Sequence, residues 1–421
     1  MKVIRTTKYI LISLVLLFMG ETYAQEKAET PNSFLSLQES INLAMKMNPG
    51  LNKLKNTELE IANSWKLESG IVNPEIIFYQ NGIGENDLYF ERAVGITQNF
   101  EKPLANVWLK KAANIELEKL KLSINLYQIS LKAMVKSQYV EILYAKYYYN
   151  LVNERIGTYR RLLDAILTKY ENGSANKLDV LNAKIRLNEA ENELSKAEAH
   201  LHRQRYQFFE IVGLDPESQA YEIRFADSLR THESFISQEE VLNNLHNYPG
   251  IKKEELTLQA NDDKIKAAKA KWFPNVSVSY LRQDFTSGFR FNGIEVGLEI
   301  PIWGKHTISA DVKVQQALLS QNKWQLYETE LMYKKQIENA WHSYEKAKEV
   351  LDNFHDEQSK STIELLELSE EAYAIGQLDL IMLLDAQSLY INNQQIYLNV
   401  LRDYYLYLIE LEKFTDYELV Y

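Results

Sequence analysis

The side chains best suited to metal binding or catalysis in this sequence are its seven histidines: His200, His202, His232, His246, His306, His342 and His355. Only His200 and His202 are close in sequence, and residues two apart on a helix do not share a face. Met45 and Met47 have the same defect. No His-Glu-x-x-His run, phosphate loop or nucleophile elbow is present. Gly82-x-Gly84 lacks the third glycine and the helix start of a nucleotide fingerprint. There is no cysteine, so there is no thiolate ligand, no disulfide and no acceptor for a lipid anchor. The 58 acidic residues read as solvated helix faces. The pattern is not that of an enzyme, and it implies no cofactor and no resident metal.

The elements therefore have to carry the function. The chain has 421 residues and a formal charge of −11. Lys2, Arg5 and Lys8 precede an apolar run from Ile10 to Met19, and Thr22-Tyr23-Ala24 offers small residues for cleavage. Residues 1–24 thus read as an export signal, too short in its apolar part to span a bilayer. That segment holds three positive charges and one negative (Glu21), so the remaining chain stands near −13. Such a balance disfavours nucleic acid as a partner, because phosphate neutralisation needs a basic surface. No later stretch approaches the roughly 18 apolar residues of a membrane helix.

Proline and glycine divide the chain into two copies of one plan. Pro49, Pro74 and Pro103 recur about 200 residues later as Pro249, Pro274 and Pro301. Asn48-Pro49-Gly50-Leu51 pairs with Tyr248-Pro249-Gly250-Ile251, and Val94-Gly95-Ile96 with Val296-Gly297-Leu298. Tyr170-x-x-Gly173 pairs with Tyr373-x-x-Gly376, and Leu181-Asn182-Ala183 with Leu384-Asp385-Ala386. A repeat of this length is a structural unit used twice. The division expected is 25–213 for the first repeat, 214–237 for a linker and 238–421 for the second repeat.

Each repeat predicts a short amphipathic helix (37–48, 238–247) and a proline-started helix (49–70, 249–272). Two strands follow, at 74–80 and 88–100, then at 274–280 and 294–300, where apolar and small polar residues alternate. Beyond them proline and glycine nearly vanish, and Leu, Ala, Glu, Lys and Gln dominate. The spans 104–172, 176–212, 305–375 and 379–416 are predicted as long helices. At 1.5 Å per residue the first would be about 100 Å long. Gly173 and Gly376 are placed as left-handed caps, and Asn176 and Asp379 to cap the returning helices.

Four strands of about ten residues match the length of tilted membrane strands but cannot close a barrel. In lipid, each unpaired edge group costs several kcal/mol. Either several chains share one barrel, or the strands form a soluble sheet packed on helices.

These residues resemble the TolC-type outer membrane factors, over essentially the whole chain after the signal, and the first half is most similar to the heavy-metal efflux branch. The motifs that carry the likeness are the duplicated Pro-Gly helix start, the strand pairs after Pro74 and Pro274, and the turns at Gly173 and Gly376. The resemblance implies a mainly α fold with a membrane β-barrel: a homotrimer whose twelve strands make one shared barrel. Its helical hairpins would form a tube reaching into the periplasm. The function implied is the outer membrane exit duct of an efflux or type I secretion-like system, with an adaptor protein and an inner-membrane pump as partners. By the same resemblance Tyr170, Gly173, Gly376 and Asp379 form the tip that meets the adaptor. Asp179, Tyr373 and Asp385 match positions of the tip gate. Leu378 stands where a basic residue is expected, and Met382 where a second aspartate is expected, so the lock is looser or differently built. The alternative is a periplasmic adaptor or coiled-coil scaffold. Two hairpins, each with its own strand pair, fit a duct better than an adaptor with one hairpin between β-rich domains.

Overall fold

A computed structural model describes residues 34–69, 72–82, 91–215, 224–225, 237–285, 288–354, 359–415 and 418–420. The export signal, Gly84 and most of the 214–237 linker lie outside these residues.

The first half runs β1 (Phe34–Leu35), α1 (Leu37–Met47), α2 (Pro49–Ser69), β2 (Glu75–Asn81), β3 (Glu91–Phe100), α3 (Pro103–Glu171) and α4 (Lys177–Val212). After β4 (Arg224–Phe225), the second half runs α5 (Gln238–Asn244), a 3-10 turn (Leu245–Asn247), α6 (Pro249–Ala270), β5 (Asn275–Phe285), β6 (Arg290–Glu299), α7 (Gly304–Asn353), α8 (Ser359–Ala374) and α9 (Leu380–Glu412). The same order of elements thus occurs twice. The expected helix over 305–375 is seen as α7, to Asn353, and α8, from Ser359, with 355–358 outside the described residues.

Helix α3 has 69 residues, about 100 Å at the α-helical rise. It packs along α4 and α6, while α7 packs on α6 and α9. The main core lies midway along the helices, where Leu51, Leu131, Val135, Tyr139, Phe208, Phe209, Tyr344 and Leu408 pack together. The Pro-Gly helix starts are explained there. A β-carbon on Gly50 would collide with the Tyr127 hydroxyl, and one on Gly250 with that of Tyr333. The same close approach of tyrosine to backbone is used in both halves. Lys136, 1% exposed, joins the halves: its ammonium donates to Glu412 Oε1 at 2.5 Å and to the Val420 carbonyl. Glu412 Oε2 also accepts from the Leu419 and Val420 backbone N–H groups, both at 3.0 Å. A buried charge requires this degree of compensation.

The four long strands form one antiparallel sheet in the order β2-β3-β5-β6. Each half contributes a hairpin, and β3 and β5 join them, with Ile96 opposite Tyr280 and Phe100 opposite Val276. Strands β2 and β6 are left as edges. A two-residue parallel pair, Phe34–Leu35 with Arg224–Phe225, ties the start of the described chain to the linker.

Candidate functional site: the sheet face and the helix turns

Two regions at opposite ends of the long helices carry the features that bear on function. The first is the sheet. Side chains alternate across a strand, so the register sorts its residues onto two faces. One face holds Ile76, Phe78, Val94, Ile96, Val276, Val278, Tyr280, Ile294, Val296 and Leu298. Among the described residues nothing covers it: Ile294 is 78% exposed and Ile76 76%. The other face is mainly polar or small, with Ile77, Leu281, Phe285 and Phe291 as its large apolar residues. The Tyr79 hydroxyl donates to Glu91 Oε1 at 2.7 Å, Gln283 Nε2 donates to Tyr79 Oη at 2.9 Å, and the Thr97 and Ser279 hydroxyls lie 2.9 Å apart. Gly95 is needed on this face because Leu281 lies against it. Apolar outside and hydrogen-bonded inside is the pattern of a strand with lipid on one side and a watery lumen on the other. The apolar side chains cover four successive rungs, from Phe78–Val94 to Phe100–Val276–Leu298. At about 3.4 Å per residue they make a band of roughly 20 Å, comparable to the lipid-facing band of outer-membrane barrels.

Where the sheet meets the helices, Phe100, Trp272, Phe273 and Trp303 are exposed. Aromatic rings flank the apolar band of such barrels at the water interface. Sequence analysis passed over these four. Their signal was the position of the two tryptophans beside Pro274 and Pro301, at the strand–helix junctions. No helix among the described residues is long and apolar enough to cross a membrane.

The second region is the pair of helix turns. Gly173 and Gly376 have φ of +73° and +77°, the left-handed conformation that glycine adopts without steric cost. Each turn closes alike: Ser174 N–H donates to the Lys169 carbonyl at 2.8 Å, and Gln377 N–H to that of Ala372 at 2.9 Å. These six-to-one bonds satisfy carbonyls left over at the helix ends. Asn176 starts α4 by accepting from Asp179 N–H at 2.9 Å, and Asp379 starts α9 by accepting from Met382 N–H at 2.9 Å.

Asp179 lies within electrostatic reach of Tyr373. Tyr373 packs against the tip core formed by Ile166, Val180, Ala183, Leu380 and Leu384. Burial, and secondarily the negative charge of Asp179, raise its hydroxyl pKa. Asp179 itself is committed locally, since its Oδ2 accepts from Asn176 N–H at 3.1 Å. The cation at this site is Lys169, whose ammonium lies 4.2 Å from the centre of the Tyr373 ring. Leu378 is half-buried and Met382 exposed. Lys169 precedes the turn by four residues on the other hairpin, so only packing reveals it. Asp385 does not join Tyr373. It is exposed and borders a cleft of about 350 Å³ with Arg155, Tyr159, Arg186, Ser388 and Asn392. Tyr170 is 45% exposed at the first turn. His200 lies edge-on to Tyr144, and His202 stacks on Tyr206.

This sheet and these hairpins resemble in fold those of solved outer membrane channels. By sequence, residues 88–214 match the outer membrane efflux protein family, and this segment holds β3, the first long hairpin and its turn. The solved structures similar to this chain include a membrane protein from Pseudomonas aeruginosa, with 17% identity and a TM-score of 0.77 over 90% of this chain and 93% of that one. The Campylobacter jejuni CmeC outer membrane channel has 14% identity and a TM-score of 0.77 over 90% and 85%. CusC, described with transmembrane channel formation, has 16% identity and a TM-score of 0.74 over 90% and 91%. No curated protein matches by sequence.

Proposed function

We propose that three copies of this chain assemble into an exit duct through the bacterial outer membrane, receiving substrates from a periplasmic adaptor and an inner-membrane pump. The observation that carries this reading is the uncovered apolar face on a four-stranded sheet with two open edges. In lipid those edges must be paired. Three chains supply twelve strands, enough to close one barrel. The two-repeat division at the linker 214–237 follows from the same plan, each repeat giving one strand pair and one hairpin. The turns at Gly173 and Gly376 form the periplasmic tip, with Tyr170, Gly173, Gly376 and Asp379 toward the adaptor. Asp179, Tyr373 and Asp385 belong to its gate, with Leu378 and Met382 as the departures. Lys169 holds Tyr373 in the absence of a basic residue at Leu378. A preference for heavy metals gains no weight from the fold, because the score of CusC is no higher than that of CmeC.

Reconstitution tests the reading. Detergent extracts should yield a trimer that forms ion-conducting pores in planar bilayers. Asp385→Asn should lower cation selectivity, because a ring of three carboxylates favours cations. A monodisperse monomer, soluble without detergent, would overturn the duct. Unchanged conductance and selectivity in Asp385→Asn would remove Asp385 alone from the constriction.

A further inference from the structure

The apolar face of the sheet ends in a charged rim. The last rung of the apolar band, Phe78–Val94, continues across the sheet into Arg282 and Asn292, and the next rung toward the hairpin ends is Gln80, Arg92, Asp284 and Arg290. Arg92, Asp284 and Arg290 sit on one rung of three adjacent strands. Strands lie about 4.8 Å apart, so this rung spans roughly 10 Å. Arg282 stands one rung below, about 7 Å away. All three arginines are exposed. Asp284 lies beside one of them, with its Oδ1 3.5 Å from Arg290 Nε.

The sorting of charge is one-sided. The four long strands contain three cations, and all lie on the apolar face at the end remote from the helices. Glu75, Glu91, Glu295 and Glu299 lie on the opposite face. All three cations are arginine, in a chain where lysines outnumber arginines more than two to one and the net charge is −11. Arginine on a lipid face costs about 2–4 kcal/mol at mid-membrane and about 0–1 kcal/mol at the interface, so the rim marks the interface. With the helices in the periplasm, it is the outer one. The planar guanidinium binds phosphate oxygens in a bidentate manner, which an ammonium does not.

We propose that Arg92, Arg282 and Arg290 form a docking surface for the phosphorylated head groups of outer-leaflet lipids. The acyl chains lie along the Val94–Ile96–Tyr280–Ile294 band, and the phosphates are held by the guanidiniums above it. The partner is a lipid because the cations adjoin uncovered apolar surface rather than a polar pocket. The inference rests on the membrane reading of the sheet.

The test uses the full chain as detergent-extracted trimers, incubated with bisphosphorylated lipid A or with the same lipid after removal of both phosphates. Retained lipid is counted by native mass spectrometry after detergent exchange. Wild type should retain the bisphosphorylated lipid and not the dephosphorylated one. The triple variant Arg92→Gln, Arg282→Gln, Arg290→Gln should retain at least tenfold less. If it does not yield trimers, Arg282→Gln alone should show a several-fold loss, since Arg282 has no carboxylate opposite it in the register. Equal retention of both lipids by wild type would assign the affinity to the acyl chains and overturn the proposal. So would undiminished retention in the variants, or full displacement by millimolar inorganic phosphate. A wild-type chain that is monomeric without detergent defeats the membrane reading first. Folded trimers that ignore the phosphates defeat only the docking surface.

Discussion

The two helix turns have the same plan, offset by 203 residues, yet they are held differently. In the first, Asn176 and Asp179 cap each other: the amide oxygen takes the Asp179 N–H, and the carboxylate takes the Asn176 N–H. In the second, Asp379 takes the Met382 N–H, but Met382 occupies the place of Asp179 and has no oxygen to return the bond. Tyr170 is exposed, whereas its counterpart Tyr373 packs inward under Lys169. Both turns close through the same backbone bonds; the first adds a reciprocal side-chain cap, and the second packs Tyr373, Leu380 and Leu384 against the first hairpin.

The contact through which the second turn leans is the sharpest place to break the comparison. Leu384 is 4% exposed and packs with Val180, Ala183 and Ile166 of the first hairpin. Leu384→Ala should cost about 2–5 kcal/mol, the range for buried leucine truncations. The loss should be local. Hydrogen exchange should accelerate over residues 370–390, with little change over 165–185. Equal acceleration in both turns would mean that neither is the anchor.

Substituting the glycines separates the backbone contribution from that packing. A β-carbon at Gly173 or Gly376 meets nothing within 4 Å, so the cost comes only from the left-handed conformation, about 1–2 kcal/mol for each β-branched replacement. Gly173→Val and Gly376→Val should therefore destabilise equally in local exchange. The efflux phenotype should suffer more from Gly376→Val, whose turn has less to hold it. Matching resistance defects in the two strains would remove the asymmetry.

How much of this was legible in the sequence differs with the physics involved. The ends of α3, at Pro103 and Glu171, fall within one residue of the expected 104–172, because proline and glycine act locally on the backbone. The glycine caps, Asn176 and Asp379 were read for the same reason. The strand pairs were read from alternation, but β5 runs to Phe285, five residues past the expected 280. That shortfall hid Arg282 and Asp284. Lys169 at Tyr373, and Arg155 and Arg186 beside Asp385, come from different hairpins. No periodicity within one helix brings such residues together. The resemblance supplied Asp179 as a gate residue without its capping bond to Asn176, because a motif match carries identity and not hydrogen bonding.

The smallest expected effect is the most specific. The difference between the turns reduces to one returned hydrogen bond, so installing that bond should convert the second turn toward the first. Met382 is the third residue of α9, the position from which a glutamate reaches back to the cap backbone in a capping box. It is exposed on the tip surface, so replacing it removes little buried area. Met382→Glu adds an acceptor for the Asp379 N–H and a negative charge at a helix N-terminus, worth about 0.3–1 kcal/mol. Against this, the new carboxylate lies near that of Asp379, and like charges held close repel. Met382→Gln supplies the same acceptor without the charge. If the returned bond is what matters, both variants should slow amide exchange at 379–383 by a few-fold, and Gln should be no worse than Glu. In planar bilayers the stiffer turn should open less often than wild type. Slower exchange with Glu but not with Gln would assign the effect to charge at the helix end. No change with either would show that the missing cap does not set the mobility of the second turn.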